Sequence, residues 1–306
     1  SGVLASLLSN PESFAFLNHP REFEVQTLPR VRRLNMTVAV TVRKVSLARP
    51  IFDKEMKQAA LDALENDRYT KGENVFKLEE EFARYVSAKC AVSTSSGTAA
   101  LHIAFVALGL KPGDEVVTTP LSFIATANSV VHAGGTPKFA DIRFQDYNID
   151  PARVRQVVSE RTKALLPVHL FGYPADMDAL REICDSRGLS LVEDACQAHG
   201  AMFRGRKVGC FGDVGCFSFY PSKNLWVPGD GGIATTDDED IAKVMGKLAD
   251  CGRISHYEHD VIGYTYRLSS VNAAVCRILL RRLDEWNDKR REIADSYYDM
   301  LRDLDE

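Results

Sequence analysis

Lys223 follows the apolar run "CFSFYPS" and precedes the glycine-rich "GDGG". It is either a solvated loop charge or an amine held in a dry pocket, where a lysine attacks carbonyl carbon. Upstream, Glu193 and Asp194 end the apolar stretch "LVED". A carboxylate there is costly to bury without a partner. Asp194 is therefore either a partnered buried acid or the N-cap of the next helix. Earlier still, "SSGTAAL" places Gly97 and Thr98 at a strand-to-helix turn. Free amides and the helix dipole at such a turn favour a phosphate, although an ordinary glycine turn reads the same way. Ser218, shortly before Lys223, offers one more hydroxyl. A phosphate turn, then a buried acid, then a lysine is the order expected for pyridoxal phosphate (PLP) on a doubly wound sheet.

These residues need elements to carry them. Asp53 can cap a helix running to about Asn66, with Met56, Ala59, Ala60, Ala63 and Leu64 as its apolar stripe. "CAVSTSS" reads as a strand leading into a helix near Gly97, and "EVVTTP" precedes a helix ending near His132. "TPKFADI", "KALLPVHL" and "LSLVEDA" read as further strands. Asp150-Pro151 and Asp176 open helices between them. "VGCFSFY" and "GGIATT" form an antiparallel pair whose connecting loop holds Lys223, and Asp237 can cap the helix that follows. Strands alternating with helices predict an α/β fold with a mostly parallel, doubly wound sheet. From Leu283 the charged "LDEWNDKRREIADSYYDML" predicts a helix that opens a second, smaller domain.

The bulk properties exclude several classes. The 306 residues, 45% hydrophobic and 26% charged, suit one large domain and part of another. A net charge of -4 gives no reason to expect nucleic acid or an anionic membrane as partner. Seven scattered cysteines without a C-x-x-C predict neither a disulfide framework nor a zinc site, and point to a reducing cytoplasm. No stretch is long and apolar enough to predict a membrane span, and with no positive n-region before the N-terminal leucines no secretory signal is expected. Residues 1–35 mix Pro, Ser and isolated hydrophobes, and are expected to be a disordered or non-native extension with Met36 as a plausible start.

The segments "SSGTAALHIAFVALGLKPGDEVVTTPLSFIATANSVVHAGGTPKFADI", "LVEDACQAHGA", "FSFYPSKN" and "GDGG" together resemble the DegT/StrS family of nucleotide-sugar aminotransferases. These are PLP enzymes of the aspartate-aminotransferase fold, fold type I. The likeness runs from about Val45 to at least Tyr298, and includes the D-x-x-Q of Asp194 and Gln197. It implies a PLP-binding large domain over 45–282 and an incomplete small domain over 283–306.

The resemblance also implies roles. Lys223 carries the cofactor as a Schiff base and shuttles a proton. Asp194 keeps the ring nitrogen protonated, and Gln197 meets the ring hydroxyl. Phe123 stacks on the ring, while Gly97, Thr98 and Ser218 hold the phosphate. The expected reaction moves an amino group, from glutamate, to a keto group of a nucleotide-linked deoxysugar, in a homodimer. A non-catalytic PLP- or sugar-binding relative and a PLP-dependent sugar dehydratase are the alternatives, and the lysine at 223 disfavours the second. Two positions depart from the family pattern. In "GYTYR", Thr265 stands where an Asn usually reaches the partner subunit's cofactor phosphate, and Cys251-Gly252 replaces His-Gly.

Overall fold

The computed structural model describes residues 50–304, so the expectation for residues 1–35 lies outside the described residues. Asp53 caps helix α1 (Lys54–Asn66), accepting from the Met56 amide at 3.0 Å. Helix α2 (Glu73–Val86) follows, with Leu78, Phe82 and Val86 recurring at helical spacing and buried. Strand β1 (Cys90–Thr94) then leads into α3 (Gly97–Ala107), whose N-cap Ser96 accepts from Ala99. Most of α3 is buried, as befits an apolar helix at the centre of a domain.

Three strand-helix units come next. They are β2 (Glu115–Thr118) with α4 (Ala125–His132), β3 (Thr136–Phe139) with α5 (Pro151–Val157), and β4 (Thr162–Leu166) with α6 (Met177–Arg187). Asp150 with Pro151, and Asp176, start the last two helices as the sequence predicts. Strand β5 (Ser190–Asp194) is followed by the short hairpin β6 (Met202–Phe203) and β7 (Arg206–Lys207). Strands β8 (Val214–Ser218) and β9 (Gly232–Thr236) precede α7 (Glu239–Ala249) and the long α8 (Ser270–Leu301).

The seven-stranded sheet has the order β1-β9-β8-β5-β4-β2-β3. β9 pairs antiparallel with both β1 and β8, while the remaining pairs are parallel. Both faces are covered. Phe217 and Phe219 pack with Phe82 and Leu78 on one side, and Val214 and Cys216 with Leu101, Phe105 and Met245 on the other. The alternation along β8 follows from the two-residue side-chain period of a strand.

Two predicted boundaries shift. Asp238, not Asp237, caps α7; Asp237 instead accepts from the Lys89 amide at 2.8 Å. The helix expected from Leu283 begins at Ser270, with Ser269 as its cap, and runs through 283 unbroken. Its first half buries Ala273, Cys276, Leu279 and Leu283 against α1 and α2. From Asp288 to Leu301 every residue is exposed, including Tyr297, Tyr298, Met300 and Leu301. Among the described residues no helix is long and apolar enough to cross a membrane.

Candidate active site

A cavity of about 430 Å³ lies where the parallel strands end. Its wall takes Gly97 and Thr98 after β1, Phe123 and Thr126 after β2, Asp194 and Gln197 at the end of β5, and Ser218 and Lys223 at and after β8. Ligands gather at this edge of open α/β sheets because the loops there diverge from a rigid platform. Seven of the eight sequence-predicted site residues thus meet in one place.

The turn into α3 is built for close approach. A Cβ on Gly97 would come within 2.7 Å of both Cys196 Sγ and Ser218 Cβ, and a Cβ on Gly232 within 2.7 Å of the Gly97 amide nitrogen. Only hydrogen fits at either position. The Ser96 side chain takes the Ala99 amide and its carbonyl the Ala100 amide. The Gly97 and Thr98 amides belong to the first helical turn, which has no carbonyl behind it to accept them. They stand beside the Ser218 hydroxyl and the positive end of α3, a cradle for an anion.

Asp194 is buried at the end of β5 and is no helix cap. Its Oδ2 accepts from Thr126 Oγ1 at 2.7 Å and its Oδ1 from the Cys196 amide at 3.2 Å. Two donors fix the carboxylate while leaving acceptor capacity toward the cavity. Lys223 is half-buried on the same wall. Among the described residues no carboxylate lies within 4.0 Å of its amine. The amide of Lys223 is anchored to the Tyr220 carbonyl at 2.9 Å, which fixes where its stem starts.

Residues 50–306 match the model of the DegT/DnrJ/EryC1/StrS aminotransferase family. The chain belongs to this family. It is 43% identical over 250 residues to the dTDP-3-amino-3,4,6-trideoxy-alpha-D-glucose transaminase of Streptomyces venezuelae, covering 82% of this chain and 66% of that protein. The crystal structure of S. venezuelae DesV in complex with a ketimine intermediate superposes with a TM-score of 0.80 at 43% identity, over 82% of this chain and 68% of that one. NtdA from Bacillus subtilis, solved with bound cofactor PMP, gives a TM-score of 0.76 at 32% identity, over 86% of this chain and 62% of that one. The chain spans just under two thirds of the length of the curated relatives it matches first. This chain shares the fold type I architecture of the solved structures, here with a mostly parallel seven-stranded sheet.

The eighth family position, Thr265, lies apart from the cavity and is exposed. Its Oγ1 is 3.5 Å from Cys251 Sγ. The segment around it still supports the site from behind. The Tyr266 carbonyl accepts from the Ser95 amide at 2.6 Å, bracing the turn before Gly97. Arg267 Nη1 donates to Asp250 Oδ1 at 2.7 Å, and Lys71 pairs with Oδ2 at 3.0 Å. Burial alone would raise the Asp250 carboxyl, but the bonds from Arg267 and Lys71 hold it below the ordinary range.

Several supporting groups escape a reading of the sequence. Thr126, which orients Asp194, looks like any small polar residue of an α4 start. His169 donates from Nε2 to Glu193 Oε2 at 3.0 Å, its Nδ1 being occupied by the Ala175 amide. His199 is buried beside Lys223, with Nδ1 at 3.0 Å from Asn224 Oδ1. Burial pushes its pKa down to about 3, so it stays neutral. Asn224, next to Lys223, and Asn287 of α8 both donate to the His199 carbonyl at 2.9 Å. A histidine inside an apolar run is the only sequence signal for the first histidine, and none marks the asparagine pair.

PLP, the cofactor implied by the sequence resemblance, meets matching chemistry here. The Gly97 cradle suits its phosphate, Asp194 its basic ring nitrogen and Lys223 its aldehyde. Gln197 lines the cavity with Oε1 held by the Phe171 amide at 2.8 Å, so Nε2 is the end left to donate to a ring oxygen. Phe123 stands on the rim, 68% exposed, where a flat ring would cover it.

Proposed function

We propose that this chain is a PLP-dependent aminotransferase that moves an amino group, from glutamate, onto a keto group of a nucleotide-linked deoxysugar. The observation that carries the reading is the meeting of Asp194, Lys223 and the Gly97–Thr98 cradle in one cavity. The reaction type rests on the family's name, and the substrate class on that of the S. venezuelae transaminase. Pyridoxal phosphate supplies, when bound, an aldehyde for the incoming amine and a ring that accepts electrons.

The chain's own residues do the rest. The Gly97 and Thr98 amides and the Ser218 hydroxyl bind the phosphate. Asp194, oriented by Thr126 and Cys196, holds a proton on the ring nitrogen. Gln197 orients the ring through its oxygen, and Phe123 covers one face. Lys223 would hold the aldehyde end of the cofactor and, as an amine, would move a proton to and from the substrate carbon. His199 remains neutral beside it and adds no competing positive charge.

Reduction with borohydride after incubation with PLP, followed by peptide mapping, should place the pyridoxyl label on Lys223. A label on another lysine, or none, would overturn the assignment. Bleaching of the near-visible band by glutamate, with transfer to a keto nucleotide sugar, tests the reaction itself.

The active assembly in this reading is a homodimer in the cytoplasm, with 45–282 as the cofactor domain and 283–306 opening a smaller one. The free thiols of all seven cysteines suit a reducing compartment. Thr265 and Arg267 would serve the partner's site. Mixed Lys223→Ala and Arg267→Ala chains should then regain activity on reassembly, and a fully active monomer in sedimentation would refute this.

A further inference from the structure

A second cavity, of about 480 Å³, shares Gln197, Ser222 and Lys223 with the first and extends to Arg290 and Arg291 of α8. Among the described residues no carboxylate lines it, whereas three cationic side chains do. A concave wall bearing one sign of charge concentrates counter-ions. The two arginines are not equivalent. Arg291 is bound to Asp288 on its own helix. Arg290 has no acid within 4.0 Å among the described residues and makes no hydrogen bond there. An unpaired guanidinium on the wall of a cavity keeps its full capacity for a planar oxyanion, which it can grip through two parallel N–H bonds.

The wall behind it is held in place. Asn287, one helical turn before Arg290 and Arg291, is buried, and its amide donates to the His199 carbonyl at 2.9 Å. Asn224 Nδ2 donates to Asn287 Oδ1 at 2.9 Å and stands next to Lys223 in sequence. This part of α8 is thereby tied to the segment that presents the amine.

We propose that Arg290 binds an oxyanion of a substrate, a carboxylate or a phosphate, in the cavity that adjoins Lys223. The inference deepens the aminotransferase reading and rests on it for the identity of the substrate. Both substrates of that reaction carry such a group, on the amino donor in one case and the nucleotide diphosphate in the other.

Calorimetric titration of the full chain with glutarate and with inorganic pyrophosphate tests this. Arg290→Gln should weaken one of the two by about tenfold or more, as loss of a charge-assisted bidentate pair predicts. Arg290→Lys should recover part of that loss. Arg155→Gln, on α5 and paired with Glu182, is the control and should change nothing. The anion that loses more affinity names the source. Repeating the titrations in a Lys223→Ala background removes the neighbouring amine, and the Arg290 dependence should persist. Equal affinities in wild type and Arg290→Gln, an absence of binding to wild type at millimolar anion, or loss of the dependence in Lys223→Ala would each overturn the proposal. Borohydride labelling runs separately. A Lys223 label in Arg290→Gln with unchanged anion affinity refutes the subsite alone. Arg290-dependent binding without a Lys223 label refutes the cofactor assignment alone.

Discussion

Glu193 and Asp194 are neighbours on β5, and both are buried. Successive side chains of a strand point to opposite faces, so the two acids enter different surroundings. Glu193 meets four donors: His169 Nε2 at 3.0 Å and the amides of Gly209, Phe211 and Gly212 at 2.7–2.8 Å. Burial would raise its carboxyl, but the bond from His169 and those from the loop amides outweigh it and hold the pKa below the ordinary range. Asp194 meets two donors and a cavity. A saturated carboxylate can only hold structure together, whereas one with acceptor capacity to spare can bind something. The saturated one also fixes its neighbour. Through His169 it clamps the loop whose backbone bonds with Asp194, His169 N–H to Asp194 O at 3.0 Å and Asp194 N–H to Pro167 O at 2.9 Å.

The comparison breaks most visibly in catalysis. Asp194→Asn preserves shape but cannot hold a proton on a ring nitrogen. Its kcat should fall by about 10³-fold, in line with other removed electrostatic groups, with little change in the melting temperature. An unchanged kcat would make Asp194 a backbone anchor and erase the contrast. Glu193→Gln should do the reverse. It places an amide NH₂ against donors and leaves His169 facing the wrong group, a loss of about 3–5 kcal/mol as for a broken buried pair. Urea midpoints measure this, and a shift well under 1 kcal/mol would show that the loops hold without the carboxylate.

Acid should act on the buried groups in two overlapping windows, the first opening at higher pH. His199 is depressed from 6.5 to about 3, so the unfolded chain binds the proton first. Its contribution is complete above about pH 6.5 and is lost as pH falls toward 3. Glu193 is also depressed, so its contribution is present above the unfolded value of about 4.3 and is lost as pH falls below that. The stability curve for His199→Gln should flatten from about pH 6.5 downward, and that for Glu193→Gln only below about 4.3. Identical curves for both variants would mean that other groups dominate. Thr126→Val should have the smallest effect. It removes one of two donors from Asp194 at a cost of about 1 kcal/mol. It should lower kcat far less than Asp194→Asn does, and an equal loss would move the orienting role from the acid to the hydroxyl.

Much of this was legible in the chain. Asp53, Ser96, Asp150 and Asp176 each bond to amides within three residues, so local chemistry announces those helix starts. The order of cradle, acid and lysine was also readable, because strand ends in an α/β fold face one edge wherever the strands sit in the sheet. Even so, Asp237 and Asp238 are equal caps by sequence. The choice between them falls to the amide of distant Lys89, which takes Asp237. The change to a charged composition at Leu283 marks where α8 leaves the core, not where it begins.

The tertiary structure alone decided what lies across long separations. The placement of β9 between β1 and β8 brings Gly232 against Ser96 and the Gly97 amide, an approach that only a glycine allows. The bonds from Thr126 to Asp194, from Gly209 to Glu193 and from Asn224 to Asn287 join different elements. So does the convergence of Arg290 with Lys223. Periodicity and capping act within a turn or two, and they dictated the elements and the types of group at their ends. Which of those groups meet is set by packing the whole sheet at once, since a buried donor or acceptor takes whichever partner the folded core brings within about 3 Å.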